Sequence, residues 1–123
     1  MRFNKKVFLL QEVKGTKMQT FTTKNVNASG TSLEGYVTTT RAQIEEVLGA
    51  PQENIGSYEK VTTEWCVKFD DGSIATIYDW KRYGAGAPSE NERYEWHIGG
   101  TNENVLPKVA EILGVSVYGK NSW

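Results

Sequence analysis

The sequence predicts an α+β fold, a single domain with a mainly antiparallel, twisted sheet and two helices. Three observations carry this. Asp71-Gly72 lies between two runs of alternating residues, which is a strong short-range hairpin signal. A further alternating run, 93–98 (RYEWHI), supplies a third neighbouring strand. Two segments with apolar residues spaced i, i+3, i+4 flank this stretch, and a sheet with one apolar face needs such a cover.

The first of these flanking segments is the better punctuated. Thr40 and Gln43 stand at capping-box spacing, and Ile44, Val47 and Leu48 share a face. Gly49 and Pro51 stop the helix, so the first helix is expected over 41–48. Before it, 31–39 (TSLEGYVTT) reads as a strand. Residues 52–60 read as a polar connection.

The hairpin follows. With Asp71 and Gly72 as a two-residue type I′ loop, Phe69 faces Ile74, Val67 faces Thr76 and Trp65 faces Tyr78. That register gathers Trp65, Val67, Phe69, Ile74, Thr76, Tyr78 and Trp80 on one face, the expected core face. Glu64, Cys66, Lys68, Ala75, Ile77 and Asp79 lie on the other. Residues 84–92 are Gly, Ala, Pro and polar residues and read as a loop. On the third strand Tyr94, Trp96 and Ile98 share one face, and Arg93, Glu95 and His97 share the other.

A second helix is expected after Gly99-Gly100, with Thr101 or Asn102 as N-cap and Val105, Val109, Ile112 and Leu113 as its apolar stripe. Pro107 is harmless in the first turn and kinks the helix if deeper. Gly114 ends the helix, and 115–118 can add a last strand. The expected organisation is an N-terminal extension or arm at 1–30, a core domain at 31–118 and a tail at 119–123. The arm has an apolar VFLL tip, and the chain ends in Trp123. Both motivate an expected homo-oligomer, although an arm that folds back on its own sheet is the plainer reading.

Composition excludes several classes of function. The chain has 123 residues, 38% hydrophobic and 24% charged, with a formal net charge of −1. Neither the strong acidity of a DNA mimic nor the basic bias of a general nucleic-acid binder is present. One cysteine and one histidine exclude an intramolecular disulfide, a Cys-based zinc site and a His-rich metal site. No cofactor is implied. The apolar run 7–10 is too short for a signal peptide, and nothing approaches transmembrane length, so no membrane association is expected. A reducing cytoplasm is the expected setting.

No P-loop, dinucleotide fingerprint, HExxH or GxSxG occurs. Cys66 and His97 both face away from the expected core face, so a Cys–His pair is conceivable. A small buried residue and a hydrogen-bonded structural imidazole are the plainer readings. Asp70 and Asp71 are explained by the turn. The candidate ligand site is Gly99, Gly100, Thr101 and Asn102. A glycine pair opening a helix would present backbone N–H groups to a phosphate or carboxylate. His97 leads into it, Lys81, Arg82 and Tyr83 leave the neighbouring strand, and Trp80 and Trp96 stand ready to stack on a planar ligand. A tight strand-to-helix turn also uses a glycine pair, and Glu103 can satisfy the helix end itself.

Two resemblances enter on these residues. The segment TTTRAQIEEVLGAP resembles the first helix of small outer-membrane assembly lipoproteins and β-lactamase inhibitor repeats, without a lipobox cysteine. More broadly, TSLEGYVTTTRAQIEEVLGAP, TEWCVKFDDGSIATIYDWK and YEWHIGG, in that order over about 31–113, resemble a group of small proteins of tailed bacteriophages, including phages of marine bacteria. This resemblance implies a phage-encoded protein in the host cytoplasm and transfers no activity. The expected function is a non-enzymatic binding protein that inhibits or sequesters a host defence component, with a host protein or a nucleotide-type small molecule as partner. The alternatives are a protein–protein inhibitor or assembly factor using an aromatic patch, and a small enzyme.

Overall fold

The structure, a computed structural model, describes residues 7–8, 20–54 and 59–121. In chain order the elements are β1 (Val7–Phe8), β2 (Phe21–Thr22), β3 (Ser32–Thr40), α1 (Arg41–Leu48), β4 (Gln52–Glu53), β5 (Thr63–Phe69), β6 (Ile74–Tyr78), β7 (Arg93–Gly100), α2 (Val105–Leu113) and β8 (Val117–Gly119). Every strand pair is antiparallel, in the order β1-β8-β3-β7-β6-β5-β2, with β4 also paired to β5. The protein is therefore α+β, with one antiparallel sheet and two helices among the described residues. The sheet starts ahead of residue 31, because β1 pairs β8 and β2 pairs β5. The rest of the VFLL tip and Trp123 lie outside the described residues.

The capping residues place α1 as expected. The Thr40 hydroxyl accepts a hydrogen bond from the Gln43 N–H, and the Gln43 side chain accepts one from the Thr39 hydroxyl. Gly49 closes the helix with φ 83° and ψ −167°, a region essentially reserved for glycine, rather than in the left-handed helical conformation. Helix α2 starts later than expected. Its N-cap is Asn104, without a side-chain cap bond, so Pro107 falls in the first turn, where its missing N–H is harmless. Gly114 ends it at φ 72° and ψ 25°, the left-handed cap the sequence calls for.

The hairpin forms, and its register differs from the expected one by one residue. Trp65 pairs with Ile77, Val67 with Ala75 and Glu64 with Tyr78. The Phe69 N–H donates to the Ser73 carbonyl at 2.9 Å, so the loop has three residues, Asp70, Asp71 and Gly72. Gly72 has φ 88°, whereas Asp71 is not in the positive-φ region. A type I turn followed by a left-handed glycine uses the same Asp-Gly pair as a type I′ turn, and the sequence does not separate the two. The Asp71 carboxylate settles the local choice by accepting from both the N–H and the hydroxyl of Ser73, at 2.9 and 2.6 Å.

The changed register redistributes the faces. The core holds Trp65, Val67, Phe69, Ala75, Ile77, Trp96, Ile98, Val37 and Val117, packed on Ile44 and Leu48 of α1 and the apolar stripe of α2. Trp65 and Trp96 meet edge-on at 5.2 Å, and Tyr94 meets Trp96 at 5.0 Å. Both indoles are satisfied, Trp65 Nε1 donating to the Gly49 carbonyl at 2.8 Å and Trp96 Nε1 to the Thr39 carbonyl at 3.2 Å. Tyr78 and Trp80, expected in this core, point to the other side of the sheet, and Ala75 and Ile77 take their place.

Candidate functional site

Both helices pack on one face, and no residue of the opposite face belongs to the apolar cluster. Residues directly opposed in antiparallel strands point to the same side. Applied from strand to strand, the register lines up Gln52, Glu64, Tyr78, His97, Tyr36 and Tyr118 in one row across five strand boundaries on that open face. Tyr36 and Tyr78 meet the His97 ring edge-on at 5.1 and 5.4 Å, and Trp80 stacks on it at 5.8 Å with planes 24° apart. This row exists only in the observed register.

The adjacent row is Gly99, Thr76 and Cys66. Leu33 continues the row opposite Gly99, and the short side chains at Gly99 and Thr76 leave beside the aromatic row a hollow of about 220 Å³. Thr76, Gly99, Tyr78, Trp80 and Glu64 line it, with Thr31, Ser32 and Val61. Glycine is required at 99, because a Cβ there would stand 2.5 Å from the Thr76 hydroxyl. A second cavity of about 220 Å³ lies at the far edge of β5, between Thr23–Val26 and Leu48–Gln52. Glu64 borders both cavities, and Cys66 borders the second.

Burial dominates the electrostatics of this face. It raises the Glu64 carboxyl above its ordinary range and lowers His97, against the opposing pull of Glu95 and Asp79. Burial, and then the Glu64 charge, push the Cys66 thiol up to about 11. Tyr78 is raised by burial, by Glu64 and by Tyr36. Around the hollow the face presents an imidazole, phenol rings, a thiol and, with Glu95 exposed farther along β7, the half-buried Glu64 carboxylate. Among the described residues, that carboxylate has no hydrogen bond or ion pair.

The residues singled out from the sequence divide into three groups. Trp80, His97 and Gly99 come together on the open face, and Lys81 places Nζ 5.6 Å from the Trp80 ring. Trp96 is fully buried in the core and leaves the candidate set. Arg82 is engaged elsewhere, donating to the Gly86 carbonyl and pairing with Glu92 at 3.1 Å over the Tyr94 ring, while Tyr83 is 47% exposed.

The glycine pair does not open the helix. Gly99 and Gly100 belong to β7, paired on both sides, and a Cβ at Gly100 would stand 2.4 Å from Val105 Cγ2. The Thr101 N–H donates to the Ile74 carbonyl, and the Asn102 side chain caps the Asn104 N–H. Of the backbone donors expected to meet an anion, those of Gly99 and Gly100 lie in a strand paired on both sides and that of Thr101 is bonded to Ile74.

Cys66 and His97 lie in different rows, and Cys66 is held as a thiol well above neutrality. Asp79 is wholly buried and accepts from the N–H groups of Thr62 and Thr63 and from the Thr62 hydroxyl. Glu64, Thr76, Tyr36 and Tyr78 belong to the open face but not to the candidate site read from the sequence, although the sequence already places Glu64 opposite the expected core. Glu64 carried a usable signal, a carboxylate in the middle of a strand otherwise rich in apolar and aromatic residues. Among the described residues, no group of three or more His, Cys, Asp or Glu is placed to hold a metal ion, and no helix is long and apolar enough to cross a membrane. Comparisons with protein-family models, with curated proteins and with solved structures find no match.

Proposed function

We propose that this chain is a non-enzymatic binding protein that holds a small molecule of nucleotide type, base inward, in the hollow on the open face of its sheet. The observation that carries the reading is the hollow itself, walled by Tyr78 and Trp80 and kept open by Gly99. Its volume of about 220 Å³ is below the roughly 300–1,000 Å³ of sites that enclose a whole drug-sized ligand. It therefore takes one ring system, and the sugar and phosphate stay outside, near Lys81. The sequence resemblance to small phage proteins supports the setting, a host cytoplasm in which holding such a molecule disarms a host defence. Native mass spectrometry of protein taken from infected cells, followed by calorimetry with the molecule found, tests the reading. Copurification of a nucleotide whose binding Trp80→Ala and Gly99→Val abolish is the expected result. Ligand-free protein that binds no nucleotide overturns it.

A second reading has its own observation. Trp80 and Tyr83 are the exposed large hydrophobics among the described residues, at 38% and 47%, and suit contact with a host protein. Loss of a copurifying protein in Tyr83→Ala, with small-molecule binding intact, is the result that favours it. A homo-oligomer belongs to either reading, on the sequence ground of the N-terminal apolar tip and Trp123. Light scattering that gives a monomer at all concentrations removes it.

A further inference from the structure

The row across the open face contains one charged group aimed at the hollow, Glu64. A carboxylate offers only acceptors, on two oxygens. Among the described residues, neither oxygen has a hydrogen-bond or ion-pair partner, and both stay open to solvent although the side chain is half-buried. Among the described residues, no lysine or arginine lines the hollow to supply a donor. The nearby cation, Lys81, lies over the Trp80 ring. Backbone donors are committed as well, since Thr76 and Gly99 lie in paired strands. The Thr31 hydroxyl donates to the Ala28 carbonyl and so faces the hollow as an acceptor. Seen from a ligand, the Glu64 end of the hollow is a two-pronged acceptor, while the Ser32, Thr76 and Tyr78 hydroxyls and the Trp80 indole N–H supply donors along the rest of its lining.

Two parallel N–H groups on neighbouring atoms satisfy both oxygens of a carboxylate at once, in the geometry that makes bidentate pairs both strong and selective. We propose that the ring held in the hollow carries two adjacent N–H donors on one edge, as guanine does, and that this edge docks on the Glu64 carboxylate. The proposal rests on the nucleotide reading of the hollow and adds the identity of the base. Hypoxanthine keeps one of the two donors, and adenine offers a single amino group beside a ring acceptor. Either base leaves a half-buried oxygen without a partner, and a site built for a hydrogen bond rejects the analogue that lacks it.

The test is calorimetry of the full chain with guanosine, inosine and adenosine 5′-monophosphates, on the wild type and on Glu64→Gln. The expected result is guanosine monophosphate bound about tenfold or more tightly than either of the others, the discrimination of one good bidentate pair. Glu64→Gln, which keeps the shape and offers one acceptor and one donor, should bring the three affinities to within about threefold while melting no lower than the wild type. Equal binding of guanosine and inosine monophosphates, tighter binding of adenosine monophosphate, or an unchanged preference in Glu64→Gln overturns the edge assignment and leaves the nucleotide reading standing. Failure of all three to bind overturns both.

Discussion

Asp79 lies outside the hollow, so it tests the fold alone. Its carboxylate is fully buried at the end of β6 and ties that strand to the segment entering β5. One oxygen accepts the Thr62 and Thr63 N–H groups at 2.8 and 3.0 Å, and the other accepts the Thr62 hydroxyl. Asp79→Ala removes both acceptor oxygens and all three bonds. The Thr62 hydroxyl can turn to Thr63 Oγ1, 3.3 Å away, but the two backbone N–H groups have no substitute. Each buried donor left unpaired costs roughly 1–3 kcal/mol, so about 4 kcal/mol is expected for the pair. That is a large part of the roughly 5–15 kcal/mol that holds a domain of this kind together. Asp79→Asn keeps an oxygen under both N–H groups and presents its amide to the Thr62 hydroxyl, which can reverse to accept. Only the charge-assisted part is lost, about 1 kcal/mol. Urea unfolding followed by tryptophan fluorescence measures both, with the slope m serving as a check on two-state behaviour. A cost below about 1.5 kcal/mol for alanine, or equal costs for the two variants, would refute the account.

The register is checked by Ile77→Ala, which should cost roughly 2–5 kcal/mol at a fully buried site, against Tyr78→Ala, which should cost less than half as much; the reverse ranking in urea unfolding rejects it. Gly49→Val should cost about 1–3 kcal/mol from backbone conformation alone, because no atom lies within 4 Å of the added Cβ, and an unchanged melting temperature contradicts this. Glu64→Gln should raise stability at neutral pH. The folded-state pKa of Glu64 is raised, so its contribution is favourable below the ordinary value and is lost as pH rises through the folded value, a loss that glutamine avoids. Melting temperatures that differ at pH 7 and converge below pH about 4 are expected, and a variant that melts lower at pH 7 counts against it. Alkylation of Cys66, the sole thiol, should be slow at neutral pH and rise toward a midpoint of about 11. In Glu64→Gln the midpoint should fall but stay above 9.0, because burial is the larger cause, and an unmoved midpoint would separate the two side chains.

Local punctuation was legible in the sequence, and long-range register was not. Thr40, Gln43 and Gly49 bound α1 through bonds made within a few residues, so α1 runs from Arg41 to Leu48 as expected. Asp71-Gly72 marked a hairpin but left the loop length open, and loop length decides which face each later residue takes. Gathering the most aromatics on one side favours the two-residue loop, on the premise that the other side meets water. That premise holds where a sheet face exists only to be solvated. Here the second face carries Tyr36, Tyr78, Trp80 and His97 in mutual ring contact, so the pattern that normally reports a core pointed to the wrong register. The same slip hid the candidate site. With Tyr78 read as core, Glu64 had no aromatic neighbour, and the glycine pair at the end of β7 was the remaining place to put a ligand. With Tyr78 turned outward, Glu64 joins a row of rings between Gln52 and Tyr78, and Gly99 becomes the residue that keeps the space beside it open. Tyr78 and Trp80 are kept on the less buried side, and Glu64 is kept half-buried without a partner. Each arrangement costs folding stability, and a ligand that covers the rings and pairs the carboxylate would return it.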